Sequence, residues 1–86
     1  MSYAVIVSIE IDGVEESVVK KTMDDLGWDG YITDIITGTV YFEGSGNICL
    51  GTSEEKQEKL IRDTFKKVMG KEIYLTIFFD GQDSYD

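Results

Sequence analysis

The sequence contains no proline and no histidine, a single cysteine, eight basic residues against seventeen acidic ones, and no long apolar run. Each shortage removes a class of explanation. One cysteine, Cys49, cannot close an intramolecular disulfide. Without histidine or a second thiol, the nitrogen and sulfur ligands of a structural zinc are missing too. Eighty-six residues make one domain, 1–86, with one modest core. A chain of this size buries a little over ~60% of the surface its unfolded form exposes. That core must therefore stabilise the fold alone, unless a second copy helps.

The same shortages bear on chemistry. A thiolate nucleophile needs a base or a positive neighbour, and no imidazole exists to activate Cys49. Cys49 therefore reads as structural filler. Ser45, Ser53 and Ser84 lack a base as well. General acid–base work would fall to carboxylates, and no convergent pair is marked. Glu15-Glu16 and Asp24-Asp25 are chain neighbours, which point to different faces of a helix. Gly44-x-Gly46 with Gly51 lacks both the dinucleotide glycine spacing and a Gly-Lys-Ser/Thr, and reads as a hairpin turn. Asp80-x-Gln82-x-Ser84-x-Asp86 opens like a calcium loop but lacks its glycine and closing glutamate. The expectation is a protein without catalytic residues, metal or cofactor.

The apolar start, Tyr3 to Ile9, is too short for a membrane span and has neither a basic lead nor a cleavage pattern. The lone cysteine fits a reducing compartment. These features predict a cytoplasmic protein with no membrane contact. The net charge of −9 argues against nucleic acid as a direct ligand, because phosphate binding rests on Lys and Arg. It favours attraction to basic surfaces.

There is no repeat, linker or low-complexity tract. Tyr3 to Ile11 alternates with a period of two and predicts a strand. Asp12-Gly13 ends it, and Asp12 is placed to cap the helix that follows. That helix spans Val14 to Leu26, with Gly27 as a left-handed stop. Tyr31–Ile36 and Thr39–Glu43 predict two strands joined by a tight Thr37-Gly38 hairpin. Gly44-Ser45-Gly46 predicts a second turn. Asn47–Leu50 is then either a short extra strand or an extension of the hairpin. Thr52-Ser53-Glu54-Glu55 predicts a capping box opening a helix that runs to about Met69. Its apolar stripe is Leu60, Ile61, Thr64, Phe65 and Val68. Its outer face carries the acid-before-base pairs Glu55–Lys59, Glu58–Arg62 and Asp63–Lys67. Glu72–Asp80 predicts the last strand, and 81–86 a frayed tail.

This β-α-β-β-α-β order resembles the ferredoxin-like arrangement, an α+β fold with an antiparallel sheet and two helices on one face. The fold licenses no function by itself. It does sort the charge. The first helix carries Glu15, Glu16, Asp24 and Asp25 against Lys20 and Lys21; the second, counted through Lys71, has more bases than acids. The helical layer is neutral as a whole. Glu10, Asp12, Asp29, Asp34, Glu43, Glu72, Asp80, Asp83 and Asp86 remain, with no base among them. The net charge thus falls on the sheet and its loops.

With Val5, Val7, Ile9, Val40, Phe42, Ile73, Leu75, Ile77 and Phe79 toward the helices, the open face would show Ile6, Glu10, Tyr41, Glu43, Tyr74, Phe78 and Asp80. Aromatics ringed by carboxylates suit a protein partner. The rings supply anchor area, and a one-sign rim steers a basic partner. RNA-binding versions of the fold place their aromatics among Lys and Arg instead. Candidate partner-binding residues are therefore Glu10, Tyr41, Glu43, Tyr74, Phe78 and Asp80, with Asp29, Asp34 and Trp28 beside them. Trp28 either stands exposed as an anchor or packs under its loop. In size, acidity and lack of catalytic residues the chain is similar to small phage anti-defence proteins such as anti-CRISPRs. That similarity implies a DNA-mimic-type inhibitor of a basic nucleic-acid-binding protein. The alternative is a homodimeric regulatory or ligand-sensing domain, with the open face covered by a second copy.

Overall fold

A computed structural model describes residues 2–49 and 51–81. The elements run β1 (Ser2–Asp12), α1 (Glu16–Asp25), β2 (Asp29–Ile36), β3 (Thr39–Cys49), α2 (Glu54–Met69) and β4 (Leu75–Gly81). The strands form one sheet in the order β2-β3-β1-β4, with every neighbouring pair antiparallel. This is the ferredoxin-like arrangement. β1 lies between β3 and β4, and β3 between β2 and β1.

The core follows the period of two. Val5, Val7, Ile9 and Ile11 of β1, Val40, Phe42 and Ile48 of β3, and Leu75 of β4 are buried on one sheet face. They pack with Val19 and Met23 of α1, Ile61 and Phe65 of α2, and Val14 and Trp28 from the connections.

The helices are held differently. α2 has a side-chain N-cap, acids in its first turn, Lys66 and Lys67 in its last, and left-handed Gly70 at φ 71°. These are the local devices that satisfy or complement helix ends. The cap is Ser53, whose hydroxyl accepts from Lys56 N at 3.2 Å. Thr52, the expected cap, instead donates its hydroxyl to the Cys49 carbonyl at 2.7 Å. The buried stripe is narrower than expected: Leu60 and Val68 are about half exposed, while Ile61 and Phe65 are fully buried. Lys59 pairs with Asp63 rather than Glu55, and Arg62 with Glu58 as expected.

α1 begins at Glu16, later than its apolar pattern suggests, and its N-cap Glu15 makes no side-chain cap bond. Asp12 does not cap it; its carboxylate accepts from the Thr39 hydroxyl across the sheet. α1 therefore depends on burying Val19, Thr22 and Met23. Gly27 is left-handed, as expected of the stop.

β3 differs most from expectation. Gly44-Ser45-Gly46 is not a turn; β3 runs unbroken through it, paired with β1 from Thr39 to Cys49. Glycine is required there for space rather than for turning. A Cβ on Gly46 would lie 2.6 Å from Cε3 of Trp28, and one on Gly44 2.9 Å from Cε1 of Phe42. The two aromatic rings occupy the room the missing side chains leave. Asn47–Cys49 accordingly extend the hairpin rather than form a separate strand. The Thr37-Gly38 hairpin is as expected, with both residues at positive φ (52° and 83°). β4 begins at Leu75, and Gly81 belongs to it, opposite Val5. The rest of the expected tail, 82–86, lies outside the described residues, as does Leu50.

Candidate functional site: the open sheet face

The register aligns the outward residues into rows across the four strands. Tyr31 faces Glu43, Glu43 faces Ser8, and Ser8 faces Phe78. The next row is Asp34, Tyr41, Glu10 and Thr76. On the other side lies Asp29, Ser45, Ile6 and Asp80. Beyond the second row, Ile36, Thr39 and Asp12 follow, with the Tyr74 carbonyl accepting from Asp12 N at 3.1 Å. Glu10, Tyr41, Glu43, Phe78, Asp80, Asp29 and Asp34 therefore share one surface, with Tyr74 at its rim. Phe78 is 65% and Tyr74 72% exposed; Tyr41 and Glu43 are half-buried among their neighbours.

Trp28 is not part of this surface. It is buried on the helix side, against Gly46 and with its ring centroid 5.9 Å from that of Phe79. The reason is the glycine at 46, which opens a slot in β3 that the indole fills. Sequence reading also missed Tyr31, which is 61% exposed and directly opposite Glu43. The alternation of Tyr31 with half-buried Ile32 carries that signal, but a β-bulge breaks the phase further along.

The bulge is at Thr33. Ile32 pairs with Phe42 and Asp34 with Tyr41, so Thr33 is the extra residue. Its hydroxyl donates to the Tyr41 carbonyl at 3.2 Å. The insertion reverses the phase of β2 and turns Asp34, rather than Ile35, toward the open face.

Glu43 stands at the centre of the carboxylates. Asp29, Asp34 and Glu10 are its diagonal cross-strand neighbours, at spacings of about 7–8 Å. At that range two carboxylates repel by about 0.5 kcal/mol in water before salt screening. No ion pair among the described residues offsets this: the pairs found are on the helices and at Lys66–Glu72. Glu72 is thereby neutralised, 3.0 Å from Lys66, and its hydrogen bond and charge raise the Lys66 pKa above the ordinary lysine value. Among the described residues no cluster of His, Cys, Asp or Glu could hold a metal ion. What the face can do is bind a surface of opposite charge and stack against it.

Cys49 is free and exposed at the end of β3, not buried filler. Among the described residues, no helix is long and apolar enough to cross a membrane. No protein-family model, no curated protein and no solved structure matches this chain.

Proposed function

We propose that the open sheet face docks a basic protein surface, and that the chain acts as a non-catalytic binder that occupies a nucleic-acid-binding groove in place of nucleic acid. The observation that carries this reading is the interleaving of aromatic rings, two of them largely exposed, with carboxylates that have no ion pair among the described residues. Tyr31, Tyr41 and Phe78 alternate with Glu43, Asp34 and Glu10 across adjacent rows, and no base shares the face. A nucleic-acid groove offers Lys and Arg for phosphates and flat apolar surface for bases. The face presents the complement of both. A cytoplasmic setting suits the exposed thiol of Cys49, which a reducing compartment keeps free.

The test uses a tagged wild-type chain beside a Glu10→Lys/Glu43→Lys variant, with native host lysate at low salt and at about 0.5 M, where the Debye length falls to about 4 Å. Any captured protein is then challenged with labelled DNA and RNA. The reading requires a basic partner that weakens with salt, is lost with the variant, and releases its nucleic acid when wild type is added. A partner held equally well by the variant removes the open face from the account.

A further inference from the structure

The sheet ends in two free edges, at β2 and at β4. Unpaired edges recruit other strands unless something blunts them. The β2 edge is blunted. Thr33 bulges, and the Asp34 carboxylate accepts from the Ile35 amide at 2.8 Å, occupying a group that a visiting strand would need. Asp29 and Asp34 add negative charge along it. Among the described residues β4 has one such device, at its first residue, where Arg62 of α2 occupies the Leu75 carbonyl; the rest of the strand has none. Leu75–Gly81 pairs with β1 without a bulge, carries no lysine, and has Asp80 as its one charge.

The direction of its backbone groups can be read from two hydrogen bonds. Asp12 N donates to the Tyr74 carbonyl, so Tyr74 faces β1. Antiparallel alternation then turns Thr76, Phe78 and Asp80 toward β1, and the N–H and C=O groups of Leu75, Ile77, Phe79 and Gly81 outward. Arg62 confirms the outward side, donating from α2 to the Leu75 carbonyl at 2.6 Å. Among the described residues, nothing else reaches that row.

We infer that the β4 edge pairs antiparallel with the β4 edge of a second copy, about a twofold axis at Phe78, to make a continuous eight-stranded sheet. The register follows from the strand itself. An axis at Phe78 sets Ile77 opposite Phe79 of the second copy and Leu75 opposite Gly81, so every outward residue meets an outward residue. An axis at Ile77 or Phe79 shortens the ladder, and the latter sets Phe78 against Asp80. With the axis at Phe78, the Asp80 carboxylates face Thr76 hydroxyls rather than each other. The two Phe78 rings, 65% exposed in the single chain, meet as a non-hydrogen-bonded pair, where side chains approach most closely. Beside this edge, α2 carries both signs in its Glu58–Arg62 and Lys59–Asp63 pairs. A second copy therefore meets no wall of like charge there. The pairing does not depend on the docking reading, though it would set two open faces side by side.

A seven-residue ladder lies at the small end of interfaces, so the exchange is expected to be weak. Sedimentation equilibrium of the full chain from about 1 µM to about 1 mM should show a monomer–dimer exchange. The dimer should strengthen with salt, because both copies are acidic; docking to a basic partner weakens with salt, so the two readings fail separately. Phe78→Lys and Phe78→Glu should each weaken the dimer at least tenfold, because position 78 meets itself. A one-to-one mixture of the two variants should restore it. Amide exchange at Ile77 and Phe79 should slow in wild type at high concentration and not in either variant. A monomer at every concentration overturns the inference. So does a dimer that tolerates Phe78→Lys, or a mixture that stays monomeric.

Discussion

The two faces of the sheet are built from alternate residues of the same strands, yet they share almost no chemistry. Phe42 is buried among apolar side chains, while its neighbours Tyr41 and Glu43 stand on the open side. The helix-covered face holds the core residues of β1, β3 and β4 and no charge. The open face gathers carboxylates from every strand, and none of them has an ion pair among the described residues. Stability and recognition are thus assigned to different residues one position apart. Substitutions on the open face should change stability far less than those in the core.

The sharpest test is Phe42→Ala. A buried phenylalanine lost to alanine costs about 3–5 kcal/mol, and a domain of this size has only about 4–13 kcal/mol in all. Urea denaturation should show a sharply lowered midpoint. Tyr41→Ser, one residue away, should cost below about 1 kcal/mol and be felt in partner binding instead. Gly46→Val comes next. Its side chain would meet the Trp28 ring, and overpacking of this kind costs about 1–3 kcal/mol. Tryptophan fluorescence should shift as the indole is displaced. A Gly46→Val protein as stable as wild type would show that the slot in β3 is not needed.

The open face predicts a smaller effect of opposite sign. Glu43→Gln removes three diagonal repulsions and should stabilise the fold by about 0.5–1 kcal/mol at low salt, with the gain fading as salt is raised. The smallest effect lies on neither face. The folded pKa of Lys66 is raised by Glu72. That pair therefore contributes fully below the ordinary lysine value of 10.5 and is lost as pH rises through the folded value. Because the pair is exposed, the loss should be slight, and Glu72→Gln should abolish it.

The sequence made the element order and the sorting of charge legible, because both rest on local periodicity. α2 was legible to its C-terminal glycine, since its capping and dipole signals lie within the helix. β3 was not. Its glycines resemble a turn until one knows that Phe42 presses against Gly44 and Trp28 against Gly46, and the second contact joins distant parts of the chain. Trp28 was ambiguous for the same reason. Most of the open face was foreseen from alternation. Tyr31 was missed because a pattern of period two is unreadable across an insertion of one.

That insertion bears on how the chain tolerates changes of length. Thr33 lies on a solvent-exposed edge strand, where deletions are usually absorbed. Here, removing Thr33, the extra residue, would leave Ile32 opposite Phe42 and Asp34 opposite Tyr41, and the alternation of β2 would run unbroken to the hairpin. Asp34 would still stand on the open face. What would go is the irregularity that keeps other strands off this edge. The deletion would spare the carboxylate face and lay the β2 edge open to pairing.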